Sequence, residues 1–402
     1  MTTSASLPTQ PHATATVQEW IDWFYAGFLP YWIKQARDPH GFGYFDLLDD
    51  SAKPLQPERR TLLAQARLLF TFAHLAIQTD NPVFKAAADV AKDALQAFQK
   101  SPGLYRRAQV DTQNINQSAD DNLAFSYDQT FVILGLSTWG RLDPTQDVSD
   151  ELESCWQAIE NHLTDAATGL LLEHDEVTDP KHKDAPWRAQ NPHMHLYEAA
   201  LQAYEMSQNP VWLERAKHIR AKGLEFFFDH NTGTLIEFIA ADLKTLSARD
   251  GQRREIGHQC EWAWLLYREV ELGGDPDVHT VADALLNFAD AHGVESTGPM
   301  AGAAFDAVSS DTAWREETFL LWPQTEAIKT YAIRHLHHVH AEKGQHLMLL
   351  VFKHYFKNHA AFVNQLDNQG NPIWPEALSR LLYHVVLAVT EGARAGLWQT
   401  PE

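Results

Sequence analysis

The chain has 402 residues, 45% of them apolar and 11% aromatic, with 13 Trp and 20 Phe, which is enough to bury a large core and excludes general disorder. Its 32 Lys and Arg face 53 Asp and Glu, and the resulting charge of −21 repels phosphate backbones and anionic lipid, arguing against nucleic-acid or membrane partners. Two cysteines, Cys155 and Cys260, can build neither a disulfide framework nor a thiolate zinc site, and they suit a reducing cytoplasm.

In chain order, residues 1–15 are small and polar, with neither a basic start nor an apolar stretch, and read as a flexible tail. Residues 16–402 read as one domain with no Pro/Ser-rich linker. Apolar residues recur there at helical spacing, with few alternating runs. The pattern predicts helices near 16–37, 58–78, 82–99, 120–139, 148–164, 191–208, 211–229, 255–271, 277–292, 313–333, 337–357 and 376–397. Asn81-Pro82 and Asn191-Pro192 place a capping residue before a first-turn proline. The longest apolar runs, such as LMLLVF at 347–352, fall far short of the ~20 residues of a membrane span.

Glycine-led segments separate these helices in pairs. They read GFGYFDLL, GLYRRAQV, GLLLEHD, GTLIEFI, GPMAGAAF and GNPIW, and their leading glycines are Gly41, Gly103, Gly169, Gly233, Gly298 and Gly370. The steps between them are 62, 66, 64, 65 and 72 residues, the mark of a repeat of helical hairpins. Six hairpins with short β-hairpin loops on one rim suit a closed (α/α)6 barrel better than an open superhelix. The fold class is therefore all-α, with every second helix facing inward.

That arrangement makes polar residues at equal offsets converge. Arg67, Asp128, His195, His258 and Trp322 lie 26, 25, 26, 25 and 24 residues after their repeat glycines, and His384 lies 14 after Gly370. Each is set among apolar neighbours. One such residue would read as a satisfied core group, but one in every repeat points to a central polar pocket. Histidine titrates near neutrality and can take and return protons. Arg67 offers a planar donor fork to a developing oxyanion. Glu261 stands one turn from His258 and could steady its imidazole or meet a substrate hydroxyl. Asn191, one turn before His195, could do the latter. Tyr44, Tyr127, Trp187, Trp322 and Trp374 are candidate walls for a sugar ring.

Other signals are weaker. GFG at 41–43 opens no βαβ unit, and the chain has no GxxxxGK[ST], HExxH or CxxC, so neither a cofactor nor a metal is expected. The run RHLHHVH at 334–340 reads as a solvated turn, and 173–190, with Trp187-Arg188, as a lid over the pocket mouth.

The segments RRTLLAQARLLFTFA, SYDQTFVILGL, QNPHMHLYEA, GHQCEWAWLL, LWPQTEAI and RLLYHVV resemble the N-acylglucosamine 2-epimerase superfamily over nearly the whole chain. The resemblance implies an (α/α)6 barrel and cofactor-independent proton transfer on sugars. It also implies that His258 and His384 are the acid/base pair, Arg67 holds the C1 and C2 oxygens, and His195 helps ring opening or anchoring. Asn191, Tyr127, Asp128, Glu261 and Trp322 would line the pocket. Cellobiose epimerases of that family follow the last histidine with Asn and Arg, where this chain has Val385 and Leu387. The pattern favours a D-mannose/D-fructose isomerase working through a cis-enediol, acting on a small sugar as a cytoplasmic monomer or homodimer. A 2-epimerase of a free mono- or disaccharide is the alternative. Two rivals lie in other classes: a glycoside hydrolase or lyase, which would need two inward carboxylates, and a non-catalytic binding protein.

Overall fold

All six leading glycines take positive φ, between +67° and +89°. At Gly103 the requirement is double, because a Cβ there would also stand 2.1 Å from the Ser154 carbonyl oxygen. The repeat is thus punctuated by left-handed turns that only glycine enters without strain. The computed structural model describes residues 7–55, 60–109, 118–143, 145–335 and 340–401.

Fourteen helices occur among them. They are α1 (Val17–Trp23), α2 (Leu29–Ala36), α3 (Leu62–Thr79), α4 (Pro82–Leu95), α5 (Ser126–Leu142), α6 (Ser149–His162) and α7 (Gln190–Ser207), followed by α8 (Pro210–Phe227), α9 (Ala248–Gln252), α10 (Ile256–Glu271), α11 (His279–His292), α12 (Leu321–His335), α13 (Ala341–Val351) and α14 (Leu382–Arg394). A π-helical turn, Phe24–Phe28, joins α1 to α2, and a second, Phe352–Phe356, extends α13. Six helices form a closed inner ring: α3 packs on α5, α5 on α7, α7 on α10, α10 on α12, α12 on α14, and α14 returns to α3. Helices α4, α6, α8, α11 and α13 each pack against the inner helix that precedes them. Apart from the short α9, inner and outer helices alternate from α3 onward, and the barrel is an (α/α)6 toroid. The inner helices are buried almost all round, whereas the outer ones bury one stripe, as α4 does with Phe84, Ala87, Ala88 and Ala91.

Short antiparallel strands precede the inner helices and line one rim. The ring is sealed there by Leu47–Leu48 pairing with Ala377–Leu378, while Ser379 N–H donates to the Asp46 carbonyl at 2.9 Å. Buried side-chain amides pin this rim to the inner helices. Gln65 bonds both the N–H and the C=O of Tyr44, Gln129 those of Tyr105, Gln259 those of Leu235 and Gln324 those of Ala304. In the third repeat His193 replaces the amide and accepts from Leu171 N–H at 2.9 Å.

Several boundaries differ from expectation. Residues 313–320 are extended rather than helical, because the Asp306 carboxylate accepts from Thr318 Oγ1 and Leu320 N–H and binds that segment to the rim. Residues 377–378 are strand, so the last helix begins at Leu382 after a 3₁₀ turn. Residues 7–15 lie against the barrel instead of hanging free: the Gln10 amide donates to Phe356 O at 3.0 Å and accepts from Asn358 N–H at 2.7 Å, and Ala15 is buried. Residues 336–339 of the RHLHHVH run are outside the described residues. No described helix is long and apolar enough to cross a membrane.

Candidate active site

The first two turns of the inner helices surround a cavity of about 400 Å³ that opens at the strand rim. Arg67, Tyr127, Asn191, His195, His258, Glu261, Trp322, Trp374 and His384 all line it. Each comes from an apolar inner helix whose other faces are buried, apart from Trp374, which stands on the rim strand Pro372–Trp374 and is 39% exposed. Residues of the N-terminal turns of all six inner helices line this space.

The two histidines of the expected acid/base pair sit in opposite electrostatic surroundings. His258 Nδ1–H donates to Glu237 Oε2 at 2.7 Å and lies 3.3 Å from Glu255 Oε2. Burial works against the charged ring, but Glu237 and Glu255 outweigh it and push the imidazole up to about 9, so it carries a proton at neutral pH. His384 is the reverse case. Burial, then Arg67 and Lys329, drive its pKa well below the ordinary value, and it is neutral. Arg67 Nη1 donates to His384 Nε2 at 3.1 Å. A guanidinium cannot accept, so Nε2 bears the free electron pair and Nδ1–H donates to Glu326 Oε1 at 2.7 Å. The Trp322 ring stands between the two imidazoles, 4.8 Å from His258 and 6.1 Å from His384.

Arg67 is fixed by aromatic faces. Its guanidinium lies 4.2 Å from the Phe131 ring centre, and Nη2 donates to the Tyr127 hydroxyl at 2.6 Å. His195 Nδ1–H donates to Glu198 Oε2 at 2.8 Å, and Glu198 in turn accepts from the Tyr383 hydroxyl. Glu261 is 1% exposed and hydrogen-bonded to nothing, with His195 Nδ1 and Lys329 Nζ each 3.9 Å from its Oε1. The Asn191 Oδ1 is likewise without a partner. Both residues line the cavity, so their unpartnered oxygens are acceptors available within it.

Three expected residues are elsewhere. Tyr44 is fully buried between Trp32 and Phe72, with its hydroxyl bonded to Ala87 O, because its rim segment is pinned inward by Gln65. Trp187 does not line the cavity; it packs on Phe238, which does, and remains 46% exposed. Its neighbour Arg188 is buried on Asp165 and Leu171 O, so this end of 173–190 is anchored to the rim. Asp128 is also set back from the cavity. Its carboxylate lies 3.8 Å from Arg107 Nε and has no hydrogen bond, and burial raises its pKa to about 6 against Arg107, Arg380 and Arg67.

Sequence offsets missed the residues that support the histidines. Glu237, in GTLIEFI, immediately precedes the rim strand Phe238–Ile239. Glu326 and Lys329 follow Trp322 at helical spacing, and Glu198 is three residues past His195. Charged residues spaced three or four apart on an otherwise apolar helix were the available signal. The cavity also gains Arg107, Glu173, Phe238 and Arg380. Ligand atoms of Glu237, Glu255 and His258 are close enough for one cation, as are those of His195, Glu198 and Glu261. Both groups equally read as histidine–carboxylate pairs, and between Glu261 and Glu326 an ammonium, Lys329 Nζ, already supplies the positive charge.

The model of a family described as N-acylglucosamine 2-epimerase matches residues 43–392. A mannose-6-phosphate isomerase of Rhizobium meliloti is 27% identical over 320 residues, 79% of either chain. A D-mannose isomerase of Marinomonas mediterranea is 28% identical over 252 residues, 59% of this chain and 61% of that one. Among solved structures, a D-mannose isomerase superposes with a TM-score of 0.77 at 20% identity, covering 94% of this chain and 97% of the other. A cellobiose 2-epimerase from Bacillus thermoamylovorans superposes with a TM-score of 0.78 at 17% identity, covering 92% and 98%.

Proposed function

The chain belongs to the N-acylglucosamine 2-epimerase family, and from that premise we propose that it is a sugar isomerase interconverting D-mannose and D-fructose. The carrying observation is the contact of His384 Nε2 with Arg67 Nη1, which sets a free base and a fixed cation side by side at the cavity wall. The Marinomonas relative named D-mannose isomerase supports the choice of sugar, while the Rhizobium one is named for mannose 6-phosphate. Val385 and Leu387, both buried and apolar, leave this helix without the polar pair that follows the histidine in cellobiose epimerases.

In the proposed reaction His384 Nε2 takes the proton from C2 of open-chain mannose. The C2–H electron pair becomes the C1=C2 bond, and the C1 carbonyl oxygen takes the negative charge. Arg67 holds that oxygen, and His258, already protonated, gives it a proton to complete the enediol. The O2 hydroxyl then loses its proton to His258, C2 becomes the carbonyl, and His384 returns its proton to C1. Separated pKa values support the two proposed roles, the raised imidazole as acid and the lowered one as base. His195, held by Glu198, and Asn191 would position the sugar and assist ring opening. The reaction needs no cofactor, the substrate is a small sugar, and a cytoplasmic monomer or homodimer would serve it.

D-Mannose incubated in D2O with EDTA-treated protein and followed by NMR tests the reading. Fructose labelled at C1 supports it; glucose as first product makes the protein a 2-epimerase; unexchanged mannose overturns it.

A further inference from the structure

Lys329 is fully buried, far from bulk water, and does not line the cavity. Its Nζ lies 2.6 Å from Glu326 Oε2 and 4.1 Å from the centre of the Trp264 ring. A lysine in such a place is costly unless it serves something. The groups facing it come from three helices: Glu326 on its own helix, Glu261 from α10 and Glu198 from α7, with the Tyr383 ring 5.9 Å away. Burial opposes its charge, but the three carboxylates outweigh it and keep the ammonium protonated.

We propose that Lys329 is a positioning residue: its ammonium, paired with Glu326 Oε2 at 2.6 Å, holds Glu326 as a carboxylate whose Oε1 accepts from His384 Nδ1–H, and so reserves Nε2 as the base. Glu326 Oε2 then faces the Nζ ammonium while Oε1 accepts from Nδ1–H, so the carboxylate is met on both sides. Burial and Glu261 raise the Glu326 pKa well above the ordinary carboxylate value, and Lys329 is the charge that opposes them. The histidine is thereby read from both ends: Arg67 can only donate to Nε2, and Glu326, kept ionised by Lys329, accepts from Nδ1.

The logic yields a rescue. In Glu326→Gln the amide oxygen must face the Lys329 ammonium, so its NH2 turns to His384 Nδ1. Facing donors at both nitrogens, the ring then accepts at Nδ1 and carries its proton at Nε2, where the base is needed, and Arg67 Nη1 turns away from it. In the double variant Glu326→Gln, Lys329→Met the ammonium is gone, and the amide can turn its oxygen to Nδ1–H. The two directly paired buried charges are removed together, and Glu198 and Glu261 keep His195 as their neighbour.

The test is 15N NMR of the histidine rings in the full-length protein, with the His384 signals assigned by a His384→Asn variant, alongside mannose turnover. The expected result is an unprotonated Nε2 in the parent, a protonated Nε2 in Glu326→Gln, and an unprotonated Nε2 again in the double variant. Turnover should fall by about 10² to 10⁴ in the single variant, with KM little changed. The double variant should regain at least about tenfold of it. One tautomer throughout the series, or a double variant no better than the single, overturns the proposal. The tautomers are read without sugar, so a wrong substrate assignment leaves this result standing. If Glu326→Gln does not fold, an unchanged tautomer in the double variant together with less than about tenfold loss still supports the scheme, and Nε2 protonation there overturns it.

Discussion

Glu237 places one carboxylate oxygen 2.7 Å from His258 Nδ1, while its other oxygen accepts from Glu255 N–H at 2.9 Å and Gln190 Nε2 approaches the first at 3.1 Å. The carboxylate is held from three sides, and its charge reaches the imidazole undiluted by water. Glu237→Gln keeps the shape and removes the charge. The His258 pKa should then fall from about 9 toward its ordinary value. Because His258 acts as the acid, the alkaline limb of the kcat profile should move to lower pH by about one pH unit or more. A pH–rate profile of the two proteins checks it.

The same group links folding to pH. Its folded pKa, about 9, lies above the unfolded value near 6.5. The stability it contributes is therefore complete below about pH 6.5 and disappears as pH rises through 9, to a total of about 3 kcal/mol. Urea titrations across this window should show the decline in the parent and a smaller one in His258→Gln.

Asp128 has the opposite sign. An acid whose pKa is raised to about 6 in the folded chain favours folding least when it is ionised. Stability due to this group falls as pH rises from about 4 to 6 and stays low above, a cost of up to about 3 kcal/mol. Asp128→Asn should thus be as stable as the parent or more so at pH 7, measured by denaturant midpoint. A clear loss of stability would show that Arg107 compensates the carboxylate fully.

Arg67 serves through geometry as well as charge. Lysine cannot reach the Tyr127 hydroxyl and His384 Nε2 together while lying flat on Phe131. Arg67→Lys should lower kcat by about 10² to 10³ with a smaller change in KM, in steady-state assays of mannose conversion.

Two glycines separate strain from packing. Gly41 has φ +89° and open space within 4 Å of where a methyl group would stand, whereas a methyl at Gly103 would meet Ser154 O at 2.1 Å. Gly41→Ala should cost about 1–2 kcal/mol, the left-handed penalty alone. Gly103→Ala should cost several kcal/mol more and shift the midpoint of thermal unfolding accordingly.

These contrasts show where the sequence was readable. Arg67, His195 and His258 could be found by counting from glycines because those repeats place their inner helices in the same phase, whereas His384, only 14 residues past Gly370, broke the count. Glu237 could not, since it projects from a rim segment that has no helical phase to count in. Glu326 and Lys329 were hidden by the opposite circumstance: on α12 they follow the same spacing as ordinary core residues, and only the ring closure reveals three carboxylates meeting one ammonium. Tyr44 was misplaced because an aromatic near a pocket motif looks the same in sequence whether its backbone turns toward the cavity or is clamped against α3 by Gln65.

The glutamine clamps have a consequence for how such a site can diversify. A strand held by a side chain of its own helix needs no strand neighbour to stay in place. Ala304 is clamped by Gln324 although it lies six residues past Gly298, while Leu235 is clamped by Gln259 only two past Gly233. Loop length is thereby uncoupled from anchorage. The rim can be lengthened, shortened or recoloured to greet a different sugar while the histidines, seated one or two turns below, keep their places.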